Sequence, residues 1–327
     1  MGERQAYYDN LKFILMLFVV FGHFAFEYRS ERLMISVCNA IYTFHMPVFI
    51  FVSGYFSRNI KVQRWADVWQ LLIPYFTLEI VHLIWTKVTH MGYGNASILT
   101  PTYHNWYMLS LFYWRMIIPF FKHFKPLYST LLIFSMSILA GWIPQLNDFA
   151  AGYRSLFFFP LFAVGYYSKD ISIATQVNTS KKLLAIGLLT AFISFIFYSS
   201  YTDMEQADQL LYAYAPMYGY DGLLNRMLLR IASLFSGFAC GFLFLFAVPH
   251  HQTFYTKMGT KTLYVYVIHM FLVWPIIQYG FDYSPIRTLT VSILCSAVIT
   301  YLLSSELVSK VFRPLLDPRY LISKLKF

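Results

Sequence analysis

Lys12 and His23 stand eleven residues apart in an otherwise apolar stretch, and that spacing is the first chemical hint in the chain. In an α-helix eleven residues turn through about 1100°, leaving the two side chains ~20° from alignment on one face and ~16 Å apart along the axis. A cation at one end of such a stripe suits an anionic group. An imidazole at the other end can take a proton from a hydroxyl or carry an acyl group. Asp9 and Glu27 extend the stripe, with Glu27 one turn beyond His23. A snorkelling lysine and a hydrogen-bonded core histidine are the purely structural alternative.

Further ionisable residues fall inside apolar segments, where each costs a few kcal/mol or more unless it has a partner or a task. His45 precedes Met46-Pro47 and Ser53-Gly54-Tyr55, so it either satisfies backbone freed by the proline or lines a cavity. Glu79 and His82, spaced i, i+3, are close enough to pair or to relay a proton. Asn105-Trp106-Tyr107 opens another apolar run. There Trp106 reads as an interfacial residue or a substrate contact, and the buried Arg115 calls for an anion, Glu79 or a substrate among them. His269 lies near the middle of a late apolar run after Tyr264 and Tyr266. Arg58, Lys61 and Arg64 recur every third residue in a short connection and would suit phosphates. Glycine-rich phosphate loops are absent from the sequence, and the His250-His251 pair lacks a metal-ligand spacing, so no metal is expected.

The elements that position these groups follow from composition. Of 327 residues, 58% are apolar, 20% aromatic and only 12% charged, too few charges to coat a water-soluble surface. Apolar segments run near 11–26, 35–56, 68–88, 106–121, 127–143, 156–167, 183–201, 227–248, 263–279 and 287–312. The expected fold is therefore an all-α polytopic membrane protein, a bundle of about ten transmembrane helices. The segments at 106–121 and 156–167 are short enough to be tilted or re-entrant. With the N-terminus inside, 16 Lys and Arg fall on the cytoplasmic side and 7 on the other, which puts both termini in the cytoplasm. The net charge of +10 is thus largely topological and needs no nucleic-acid partner. Cys38, Cys240 and Cys295 all lie in apolar runs and read as core thiols. The connection from Tyr201 to Arg226 is acidic and tyrosine-rich, either a plain solvated loop or one suited to stack on and hydrogen-bond a sugar.

Together these residues resemble the acyltransferase-3 family of bacterial membrane O-acyltransferases, especially the single-domain members similar to fucose 4-O-acetylase. The resemblance rests on Tyr8-Asp9-Asn10-Leu11-Lys12 with Phe21-Gly22-His23-Phe24, and on Phe44-His45-Met46-Pro47-Val48-Phe49 leading to Ser53-Gly54-Tyr55. Lys61-x-x-Arg64 stands for the family's Arg-x-x-Arg, and weaker echoes are Trp106-Tyr107-Met108 and Tyr264 to His269. Lysine at 12 and 61 keeps the charge of the commoner arginine without its bidentate fork.

The resemblance implies a single transmembrane acyltransferase domain over 1–327 in the cytoplasmic membrane. It also implies a cytoplasmic acyl-CoA donor, most simply acetyl-CoA, and a cell-envelope carbohydrate acceptor outside. On that basis Lys12, Arg58, Lys61 and Arg64 would hold the donor. His23 would be the base, with Glu27 orienting it and His45, Asn105 or Arg115 at the oxyanion, while Glu79 and Trp106 would face substrate. Membrane lipids are the remaining partner, and a homo-oligomer is compatible with the sequence. A secondary transporter of a glycan precursor is the competing expectation, with Lys12, Glu79, His82 and Arg115 as a relay.

Overall fold

The computed structural model describes residues 3–58, 68–92, 97–102, 104–143, 146, 149–215, 223–280 and 284–316. Lys61 and Arg64 lie outside the described residues. In chain order the α-helices are α1 (Glu3–Glu27), α2 (Arg32–Tyr42), α3 (His45–Ser57), α4 (Ile73–Thr89), α5 (Trp106–Phe121), α6 (Pro126–Leu139), α7 (Gly152–Tyr167) and α8 (Ile171–Ala174). They continue with α9 (Thr179–Thr202), α10 (Met204–Leu211), α11 (Leu223–Ala247), α12 (Thr256–Gly259), α13 (Thr262–Gly280), α14 (Pro285–Leu303) and α15 (Glu306–Leu316).

Among the described residues seven stretches are long and apolar enough to cross a membrane: Gln5–Glu27, Arg32–Ser57, Gln70–Thr89, Thr179–Thr202, Leu224–Ala247, Thr262–Gly280 and Pro285–Leu303. The other three apolar segments fold as α5, α6 and α7, of 16, 14 and 16 residues. The side chains are distributed as lipid demands. Large apolar groups such as Ile84, Leu131, Leu183 and Phe195 face outward, whereas Asp9, Asn10, His45, Glu79, His82, Asn105, Arg230 and His269 are buried. The molecule is a multi-pass membrane protein.

The second apolar segment is not one helix. It breaks at Thr43–Phe44, between α2 and α3, because Pro47 has no N–H to offer the carbonyl four residues earlier. At the break the Ile41 carbonyl accepts from the Phe44 amide at 3.2 Å and from His45 Nδ1 at 2.9 Å.

The contacts group the chain into two units, one of residues 1–49, 169–213 and 232–309, the other of 50–168, 214–231 and 310–327. In the first, one end of α1 is fastened by polar side chains. Asn10 donates to the Pro249 and His251 carbonyls, both at 2.9 Å, and accepts from Thr253 and Thr256 at 3.0 and 2.7 Å. Tyr7 donates to the Leu245 carbonyl and Tyr8 to Asp170. A Cβ on Gly259 would fall 1.9 Å from the Asp9 carbonyl, so only glycine lets α12 lie against α1 here. These bonds place the start of α1, the C-terminal end of α11 and the start of α13 at one end of this unit. At the opposite end Arg32 donates to the Tyr201 carbonyl, and Asn39 donates to Ser200 and to the Ala207 carbonyl.

In the second unit α3 and α7 cross at glycine. A Cβ on Gly54 would lie 2.0 Å from the Phe162 carbonyl, and one on Gly165 would lie 1.9 Å from that of Phe51. Lipid offers no hydrophobic drive for helix pairing, so such close backbone approach supplies the packing that holds the pair. The Ser53-Gly54-Tyr55 stretch acquires its reasons here. Ser53 hydrogen-bonds Tyr107 on α5, Gly54 makes the crossing, and the Tyr55 ring lies 4.1 Å beneath the Arg58 guanidinium.

Candidate active site

Within the first unit α1 carries the expected stripe. Lys12 does not stand alone: its Nζ pairs with Asp9 at 2.8 Å, the carboxylate being almost fully buried and the lysine one-third exposed. Any phosphate drawn to Lys12 would therefore compete with Asp9 for the ammonium. His23 is 9% exposed, and beside it, 5.1 Å between ring centroids and tilted by 36°, lies His269 of α13. His269 is fully buried and its Nδ1 lies 2.9 Å from the Val265 carbonyl. A carbonyl only accepts, so Nδ1 bears the proton and the lone pair sits on Nε2. The pairing of the two imidazoles joins residues 246 positions apart, which helical spacing within one segment does not reveal. The signal available was a histidine in the middle of an apolar run.

His45 stands next to this region through α2. Its ring meets Tyr42 edge-on at 4.8 Å, and Gly22, the neighbour of His23, packs on Tyr42 and Ile41. With Nδ1 committed to Ile41, His45 also presents its lone pair at Nε2. Glu27 sits one turn past His23 and lines an open cavity. Beyond the end of α1, burial together with the Glu27 charge pushes the Tyr28 phenol up to about 12, and burial raises that of Tyr212. Both phenols therefore keep their protons at neutral pH and remain hydrogen-bond donors.

The second unit holds a separate polar cluster. Glu79, midway along the span Gln70–Thr89, accepts hydrogen bonds from the Thr102 amide at 3.0 Å, the Thr102 hydroxyl at 3.1 and 3.2 Å and the Asn105 amide at 2.9 Å. Residues 98–102, 104 and 105 are thereby drawn in against the middle of α4, with Tyr75 donating to the Ile98 carbonyl and Leu99 accepting from the Ala150 amide. Helix α5 starts at that depth, which accounts for its shortness. Irregular backbone so placed needs protein partners, and Glu79 and Tyr75 supply them.

Three expectations change here. Glu79 and His82 do not pair directly: His82 Nδ1 bonds the Leu78 carbonyl at 3.0 Å, and Asn105 lies between the two side chains. Glu79 does not serve Arg115, which lies ten residues down α5 from Asn105, about 15 Å along the axis. Arg115 is half-buried. Trp106 is not an exposed interfacial residue; it is 8% exposed, stacks on Phe158 at 5.5 Å and lies 5.6 Å from the Arg154 guanidinium. Asn105 spends both amide protons on Glu79 and Thr102, and its Oδ1, buried without a hydrogen-bond partner, remains as an acceptor. Sequence reasoning missed His104, whose ring meets His82 at 5.2 Å.

Arg58 caps the far end of α7 by donating to the Ser168 carbonyl at 2.6 Å, and Lys122 lies over the Tyr166 ring at 5.4 Å. Two cations thus collect where α3, α5 and α7 end. Among the described residues no three His, Cys, Asp or Glu side chains converge as a metal site.

A family model described as an acyltransferase domain matches residues 5–305, nearly the whole chain, and with the many apolar helices it defines a membrane acyltransferase. No curated protein and no solved structure matches. The chain belongs to the acyltransferase-3 family.

Proposed function

We propose that this protein moves an acyl group, most simply acetyl, from cytoplasmic acyl-CoA to a hydroxyl of a cell-envelope carbohydrate on the other side of the cytoplasmic membrane. The observation that carries the reading is the buried His23 on the same helix as the Lys12–Asp9 pair, with His269 beside it. In this reading about ten helices span the membrane as one acyltransferase domain with both termini inside. Arg58, Lys61 and Arg64 take the donor's phosphates, with Lys12 as a secondary contact shared with Asp9. The thioester is presented at His23.

Neutral His23 accepts the proton of the acceptor hydroxyl as its oxygen attacks the thioester carbonyl. The C–S bond breaks, the CoA thiolate leaves, and the imidazolium returns the proton to it. In this reading Glu27 and His269 orient the imidazole and Arg115 stabilises the oxyanion, whereas His45, whose ring proton is spent on the Ile41 carbonyl, has only a lone pair to offer and is not an oxyanion donor. Asn105, held by Glu79, acts through Oδ1 on a hydroxyl, and Trp106 remains a substrate-side residue. Acyl-CoA, the glycan and lipid are the partners, and no metal takes part.

The test is reconstitution in liposomes with labelled acetyl-CoA on one face and envelope glycan on the other. The expected result is labelled glycan from the wild type and a loss of about 10²–10⁴-fold in His23→Ala, with acyl-CoA binding retained. Passage of intact, unlabelled glycan would favour the transporter reading instead.

A further inference from the structure

An open cavity of about 440 Å³ lies in the first unit at the end of α1 that carries His23, lined by Glu27, Arg29, Ser30, Ile35, Met204 and Asp208. Its volume is in the range of small-ligand sites, with room for a sugar ring and its substituents. It is built rather than incidental. Asn39 of α2 holds the Ala207 carbonyl at 2.9 Å, which fixes the neighbouring Asp208 opposite α1. Beneath it Ala25, Met34, Ile35, Cys38, Ala207 and Leu211 pack as an apolar floor. Glu27 is four residues beyond His23, about 6 Å along the same face, so a ligand held by Glu27 lies within one turn of the imidazole.

The charges choose among ligands. Two carboxylates line the cavity against one guanidinium, and that guanidinium is turned onto α1, with Arg29 donating to the Phe26 carbonyl at 2.8 Å and lying 4.1 Å over the Phe26 ring. An acidic sugar would face Glu27 and Asp208 and is disfavoured. Carboxylates do suit the paired hydroxyls of a neutral sugar, which they accept as charge-assisted hydrogen bonds. Phe26, Tyr42 and Tyr212 pack against that apolar floor, Phe26 stacked with Tyr42 at 6.1 Å and edge-on to Tyr212 at 6.4 Å.

We propose that this cavity seats a hydroxyl-rich ring of the acceptor that carries no acidic group, with Glu27 and Asp208 as its hydrogen-bond acceptors. The assignment deepens the acyl-transfer reading and rests on it for what is done to the sugar. Saturation-transfer NMR on the full chain in nanodiscs, with methyl glucoside and methyl glucuronide as probes, tests binding without turnover. Asp208 is exposed, so Asp208→Ala and Asp208→Asn leave the packing intact. The expected result is saturation of the glucoside ring protons by the wild type, with affinity weakened about tenfold in both variants. An absent glucoside signal, one unchanged in Asp208→Ala, or a stronger signal from the glucuronide would overturn the proposal. Transfer assays in liposomes separate the two ideas. Asp208-dependent glucoside binding with no acetyl transfer would support the cavity and sink the acyl-transfer reading. Transfer with the same acceptor KM in wild type and Asp208→Ala would sink the cavity alone.

Discussion

At the scale of single residues, the Lys12–Asp9 pair separates charge needed for structure from charge needed for substrate. Asp9 is nearly buried, so removing its partner strands a carboxylate away from water, and Lys12→Met is expected to lower the melting temperature. The double variant Asp9→Asn with Lys12→Met removes both charges and is expected to melt close to wild type. If Lys12 also steadies the donor, the double variant still shows a raised KM for acetyl-CoA. A double variant that melts as low as Lys12→Met would show that the pair is not the reason. The Lys12 to His23 stripe was legible in the sequence because a helix converts spacing into a shared face. His269 was legible only as a buried polar residue in need of a reason, since its partner lies on α1, far away in sequence. Asp9 was legible only as an extension of the stripe; its ion pair with Lys12 needed the structure.

At the scale of elements, small residues decide where helices meet. The Gly54 and Phe162 backbones are so close that Gly54→Ala must push α3 and α7 apart, at an expected cost of about 1–3 kcal/mol. A thermal melt of purified protein checks this, and a Gly54→Ala melt matching wild type would refute the crossing. The apolar segments themselves were readable from hydropathy, down to the short ones. The break between α2 and α3 was foreshadowed by Pro47, which frees backbone beside His45. The inward course of residues 98–102, 104 and 105 was hidden, because Thr102 and Asn105 look like ordinary loop residues until Glu79 is seen to hold them.

At the scale of the whole molecule, the proposed reaction needs two chemically distinct faces, one for the donor and one for the acceptor. Cysteines placed by Lys61→Cys and Ser30→Cys, in a chain lacking the native three, are expected to react with impermeant maleimide from opposite sides of sealed vesicles. Labelling of both from one side would rule out the two-faced arrangement. The family and the membrane class were within reach of the sequence, because composition and a few motif residues fix them. The side chains that meet across helices needed the fold.

Helix α6, at 14 residues and with Leu127, Leu131, Leu132 and Leu139 exposed, has a further consequence, for the lipid around it. It measures about 21 Å along its axis, against roughly 30 Å for the hydrocarbon layer of a typical bilayer. Lipid beside this helix has to thin, at a cost of a fraction of a kcal/mol per Å of mismatch. Turnover is therefore expected to rise in liposomes of shorter acyl chains and to fall in longer ones, and a rate that climbed with chain length would contradict it. Such an enzyme would be tuned by the thickness of the membrane it works in, and would partition toward the thinner regions.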